Sequence, residues 1–367
     1  MKHFSRVSSR WVHGIAVLAL LSFMVGCSDT NESLNAPAGG EQQSVLLTAS
    51  NAKVQVVMAV QDRHTPKLME DPLVVGTATG LGDDGEPAII VYLESEHGGK
   101  NVPESIEGIQ VVKAVSGRIT MLRGSTGVDH TARLPRPIQL GVSGGNSKDF
   151  AYPYCCSGTL GALVTDGSKQ YILSNQHVFA GDQAASANDP DVAEAGQEIN
   201  QPGLIDVGCY DYPADYVAYL TSWCEDGYNV DCAIAEVIPG TVDPGGAILE
   251  VGELSAATLD AYVGLAVKKS GRTTGLTRGS VTAINGSFTV GGTDECGGES
   301  TTEYFTGQIV ISGTRISNAG DSGSLVVEDV DVNPRAVALL FAGGRNLAIC
   351  NPIDDVLAYF GVTMVGN

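Results

Sequence analysis

The sequence is short of charge, and shorter still of positive charge. Charged residues make up 17% of the 367, with 21 Lys plus Arg against 42 Asp plus Glu. A net charge of −21 argues against nucleic acid as a partner, because phosphate contacts need clustered Lys and Arg. No apolar run reaches the roughly 20 residues a membrane-spanning helix needs. There is no Cys-x-x-Cys pair and only 6 histidines, so a structural zinc site has no ready ligand set. Across residues 151–367 a sustained helical period is missing until Ile353 to Tyr359. What is plentiful is glycine, 46 residues, in a chain that is 43% apolar. That balance suits a turn-rich globular β protein whose acidic surface faces the medium. No metal or organic cofactor is expected.

The first 26 residues read as a signal peptide. Lys2, Arg6 and Arg10 precede an apolar run from Ile15 to Val25, which is the length of a signal core. The run ends in Met24-Val25-Gly26-Cys27, which resembles a bacterial lipobox. The resemblance implies lipidation at Cys27 and a membrane anchor, with ordinary secretion as the alternative. Ser28 then implies the outer membrane in a two-membrane cell. Residues 27–50, poor in large apolar groups, read as a flexible tether. Eight cysteines fit export. With Cys27 set aside seven remain, so at most three disulfides form; the pairing stays open, with Cys209–Cys224 weakly favoured.

Residues 51–124 read as a small α+β domain. Ala52 to Met69 carries a helical stripe disturbed by Pro66. Val74–Thr77 and Ala88–Tyr92 read as strands, and Gly82-Asp83-Asp84-Gly85 as a hairpin turn. His64 and His97 have no nucleophile near them in sequence and read as surface residues. Residues 125–150, rich in Pro, Gly and Ser, read as a linker. Residues 151–367 are a succession of short strands and turns, a barrel or sandwich pattern.

Three motifs in that last region carry chemistry. Gly320-Asp321-Ser322-Gly323-Ser324 sets a serine between glycines, a tight turn that can aim the amides of Gly320 and Ser322 at one oxyanion. By itself such a stretch is also any sharp turn entering a strand. Ile172 to Val178 delivers His177 at the end of an apolar strand, and it is the sole histidine after residue 130. A serine hydroxyl is a weak nucleophile and needs such a base. Asp231 stands directly before the apolar run Cys232–Ala235, where a carboxylate entering a core needs hydrogen-bond partners. Asp215 has a similar setting and is the runner-up; Asp206 and Asp211 are weaker.

The order His…Asp…Ser differs from the subtilisin and α/β-hydrolase orders and matches the chymotrypsin type. With Ser270-Gly271-Arg272-Thr273-Thr274-Gly275, Gly158-Thr159-Leu160-Gly161 and Leu339 to Gly344, the last 210 or so residues resemble trypsin-like serine proteases. Within these they resemble bacterial relatives of the plant narrow-leaf-type group, in which Ser324 and Gln176 replace the more usual glycine and alanine. The resemblance implies a mostly β fold of two antiparallel six-stranded barrels over 151–367, preceded by the α+β domain. It implies a serine endopeptidase with His177, Asp231 and Ser322 as a triad acting on protein or peptide substrates. It also implies an oxyanion hole at Gly320 and Ser322, a substrate wall at Phe341, Ala342, Gly343 and Gly344, and a pocket floor at Ile316. An apolar floor implies a preference for apolar or small side chains. A protease-like surface binding protein without activity is the alternative. Residues 51–124 read either as a folding aid or inhibitory pro-region or as a spacer or docking domain.

Overall fold

A computed structural model describes residues 47–121, 129–151, 154–181, 193–225, 228–293, 296 and 300–367. The signal peptide, Cys27 and most of the tether lie outside the described residues, as do 122–124 of the expected α+β domain and 125–128 of the expected linker. Among the described residues no helix is long and apolar enough to cross a membrane.

The chain is mostly β. Its elements in order begin with α1 (Ala52–Leu68), β1 (Val74–Leu81), β2 (Pro87–Leu93), β3 (Ser105–Ile106), β4 (Ile109–Val115) and β5 (Thr120–Met121). Next come β6 (Val142–Asn146), β7 (Gly158–Leu160), β8 (Ala162–Thr165), β9 (Gln170–Ser174), α2 (Gln176–Phe179), β10 (Glu198–Asn200), β11 (Tyr216–Trp223) and β12 (Ala233–Val237). The remainder is β13 (Ala266–Lys269), β14 (Thr277–Thr293), β15 (Ser300–Ser312), β16 (Leu325–Glu328), β17 (Ala336–Gly344), β18 (Leu347–Pro352), α3 (Ile353–Phe360) and β19 (Thr363–Met364).

Two closed rings result from the pairing. In the first, the order is β6-β10-β11-β12-β9-β8, and β7 returns to β6. Strands β7 and β8 are two halves of one bent strand, joined at Gly161, so six strands close the barrel. In the second, β13 pairs with β14 on one side and β16 on the other, and β16-β17-β18-β15-β14 completes six. In the second ring β14 and β17 run past their ring partners, and the edges they leave are taken up by the N-terminal region. The first barrel is filled by Leu140, Leu160, Ile172, Leu173, Val217 and their neighbours, and the second by Val267, Val281, Ile311 and Leu340 among others.

The α+β region forms as its sequence implies. Asn51 caps α1, accepting from the amides of Lys53 and Val54, and Pro66 sits inside its last turn. The Gly82–Gly85 turn joins β1 to β2, and β4 runs parallel to β2. Val57, Val60 and Leu68 of α1 pack on Ile89, Val91 and Val111 of this sheet. The region is not detached from the barrels: β1 pairs with β14 from Ala283 to Phe288 and so extends the second barrel's sheet.

The stretch expected as a linker over 125–150 departs from that reading. Ile138, Leu140 and Val142 are buried, and residues 142–146 form β6, a barrel strand. The Gly, Ser and Pro content signals close packing here rather than mobility: a Cβ on Gly144 would stand 2.3 Å from the Leu160 side chain. The disulfides also correct the favoured pairing. Cys209 bonds to Cys155 and Cys156 to Cys296, so Cys209–Cys224 does not form. Cys224 lies buried at the end of β11, next to Cys232 instead.

Candidate active site

The apolar run of β9 carries the chain through the first barrel, and Asn175 then turns it into the single helical turn α2 that presents His177. Gln176 holds that turn, its amide donating to the Ala180 carbonyl at 3.0 Å. Asp231 arrives on the neighbouring strand, just before β12, which pairs with β9. The two side chains meet. His177 Nδ1 and Asp231 Oδ2 form a short hydrogen bond, and the His177 backbone N–H donates to Asp231 Oδ1 at 3.3 Å. Both residues are buried, at 3% and 4% exposure, so the carboxylate is held by protein donors rather than by solvent.

Residues that sequence reasoning missed hold Asp231 in place. Asn175 Nδ2 donates to the Asp231 carbonyl at 2.7 Å, and the Asp231 amide donates to Asn351 Oδ1 at 3.0 Å. Asn351 Nδ2 in turn donates to Gln308 Oε1 at 2.7 Å. Asn351 and Gln308 belong to β18 and β15, so the second barrel fixes an acid carried by the first. An isolated Asn in a strand gives no sequence signal of this.

Asp215, the runner-up, does not approach His177. Arg133 claims it in a two-pronged pair at 2.6 Å on each oxygen, with Asp215 2% exposed. Asp206 pairs with the buried Arg272 guanidinium, and Asp211 accepts from Tyr216 at 2.8 Å. His64 lies in the N-terminal region, 2.8 Å from Glu107.

Ser322 sits at the entry to β16. Gly320 and Gly323 take φ of +95° and +90°, a left-handed backbone that side chains resist, and between them the turn folds back on itself. The Ser322 hydroxyl donates to the Phe341 carbonyl at 3.2 Å, and its own carbonyl accepts from the Thr159 amide at 2.8 Å. The second of these bonds docks the turn on the first barrel. Gly158 shows how close the approach is. A Cβ there would meet Val178 at 2.5 Å on one side and the Ser322 carbonyl at 2.9 Å on the other. The residue after His177 and the serine therefore share one neighbour.

Asp321 is fully buried beneath the serine. Its Oδ1 accepts from the amides of Thr273 and Thr274 at 2.9 and 3.0 Å, and its Oδ2 from the Asn318 amide at 2.9 Å and the Thr274 hydroxyl at 2.7 Å. Lys269 Nζ stands 3.3 Å from Oδ2, also fully buried. Burial pulls the Lys269 ammonium below its ordinary range, and Asp321 opposes that. The hydroxyl of Ser324 donates to the Asp321 carbonyl at 2.5 Å, and a Cβ on Gly271 would stand 2.2 Å from it. A serine at 324 thus fits here because 271 is glycine.

The expected substrate wall contributes backbone more than side chains. The Phe341 ring lies in the core against Phe305, with centroids 4.7 Å apart, so what it offers Ser322 is its carbonyl. Ile316 is 2% exposed and packs in the second-barrel core. Ala342 and Gly343 already have a partner: β5 runs antiparallel to them, with Met121 opposite Ala342 and Thr120 opposite Gly343.

No protein-family model matches the chain, and no curated protein matches it. Among solved structures it is similar to protease A of Thermobifida fusca, at 18% identity over 63% of this chain and 99% of that one, TM-score 0.41. A glutamic-acid-specific serine protease described as using a histidine triad in substrate binding matches at 20% identity over 62% and 100%, TM-score 0.41. A chymotrypsin of Cellulomonas bogoriensis matches at 19% over 57% and 91%, TM-score 0.36.

Proposed function

We propose that the chain is a serine endopeptidase in which Ser322 attacks the scissile carbonyl, His177 carries the proton and Asp231 orients His177. The reading rests on one observation: a buried His–Asp pair stands beside the glycine-bracketed turn of the chain's one motif-borne serine, with Gly158 touching both segments. Chemically, Asp231 on Nδ1 keeps the proton there and leaves Nε2 as the base. The amides of Gly320 and Ser322 supply the oxyanion hole, and no cofactor enters the reaction. Ile316 as pocket floor, with a preference for apolar or small side chains, belongs to the same proposal; a cleavage profile dominated by Lys or Arg refutes it. A fluorophosphonate probe, which reacts with an activated serine, should label the wild type and not Ser322→Ala. Equal labelling of both would end the proposal and favour a silent binding protein.

Residues 51–121 fit an inhibitory pro-region better than a spacer, because β5 lies on the strand edge where a peptide substrate would add itself. The shortened chain that tests this must begin at residue 122, since β6 is a barrel strand. The chain from 122 should label faster than the chain from 27; equal rates would return the region to a spacer. Export with a lipid on Cys27 completes the proposal. Two disulfides fit an extracellular protein. Labelled palmitate should enter the wild type and not Cys27→Ser.

A further inference from the structure

We propose that Cys224 and Cys232 form a third disulfide, which closes the loop carrying Asp231. The last rung of the β11–β12 ladder is Trp223 opposite Ala233, and the next pair outward is Cys224 and Cys232. The Cys224 amide donates to the Cys232 carbonyl at 2.8 Å, so the ladder continues through them. Directly opposed residues of this kind have Cα atoms about 5.5 Å apart, within the span a disulfide bridges. Directly opposed residues of an antiparallel ladder present their side chains to the same face of the sheet, so the two sulfurs are neighbours. Both are buried, at 2% and 0% exposure, among first-barrel core residues.

In the unfolded chain either cysteine can react first. Its thiolate attacks a small-molecule disulfide such as glutathione disulfide, forming a mixed disulfide and releasing one thiol. The other cysteine then gives up its proton, attacks the sulfur of the first and releases the second thiol. Two electrons pass to the small disulfide, and the two released thiols carry two protons. The exchange takes place as the chain folds, before these residues are buried. With it, six of the seven cysteines beyond Cys27 are paired and Cys350, buried in the second barrel, is left over.

The bond would tie β11 to β12 immediately beside Asp231, which precedes Cys232. The test uses the full chain purified without reductant from an oxidising compartment, unfolded in urea and alkylated. A protease cutting after glutamate separates the two cysteines at Glu225. Peptide 199–225 also carries Cys209, so with Cys155–Cys209 and Cys156–Cys296 intact the expected product is peptides 108–194, 199–225, 226–236 and 296–299 joined, six hydrogens lighter than their sum and split by reductant. Alkylated Cys224 and Cys232 in that sample would overturn the proposal. The double variant Cys224→Ala, Cys232→Ala should melt about 5 °C lower, the loss of a short-loop cross-link. An unchanged melting temperature would show that the loop is not held by a bond.

Discussion

Lys269→Met should destabilise the fold, and Asp321→Asn should do so more. The two charges are fully buried under the Ser322 turn, 3.3 Å apart. Breaking a buried pair by removing one partner typically costs about 3–5 kcal/mol, because the other charge is left in the interior. The structure says which end of that range applies to each. Without Lys269, the Asp321 carboxylate keeps four neutral donors, three of them backbone amides. That places Lys269→Met near 3 kcal/mol by the same scale. Without the carboxylate, Lys269 keeps only the Thr274 hydroxyl and the Gly275 carbonyl. Asparagine also turns its NH2 toward backbone N–H groups, since each oxygen of Asp321 accepts from at least one. Asp321→Asn should therefore cost about 5 kcal/mol. The double variant removes both charges and should be less destabilised than the sum by about 1–3 kcal/mol. Urea unfolding of the four proteins gives the cycle, with fluorophosphonate labelling as a second readout of the turn. A cost under about 1 kcal/mol for Lys269→Met, or Asp321→Asn milder than Lys269→Met, would refute the reasoning.

Asp231→Asn puts an NH2 against His177 Nδ1 and forces the proton to Nε2, so kcat on a peptide ester should fall about 10⁴-fold; a loss under tenfold would exclude Asp231 from this role. Gly158→Ala drives a methyl group into Val178 and the Ser322 carbonyl, and should cost about 1–3 kcal/mol in unfolding with slower labelling. In Glu328, the Arg335 guanidinium holds the carboxyl below its ordinary range. Its contribution is present above the ordinary glutamate pKa and is lost as pH falls through the depressed folded value. Glu328→Gln should flatten that acid-side loss, read as urea midpoints across pH.

The sequence by itself determined the local elements. Apolar runs bounded by Gly, Asn and Asp gave the strands. Asn51 and Pro66 marked α1, and glycines at 320 and 323 announced a turn no other residue makes easily. These signals act over a few residues, where backbone sterics and periodicity dominate. It also proposed which His, Asp and Ser belong together, because motif order survives without coordinates. The sequence ranked Asp231 ahead of Asp215; only the tertiary structure shows that Arg133, far away in sequence, pairs with Asp215 while Asp231 meets His177. It likewise turned a Gly/Ser-rich stretch into barrel strand β6, paired Cys209 with Cys155, and laid β5 on Ala342 and Gly343. Each of these depends on which distant surface a segment is pressed against. Composition cannot encode that, because the energy of a strand, a disulfide or a buried carboxylate lies in its partner.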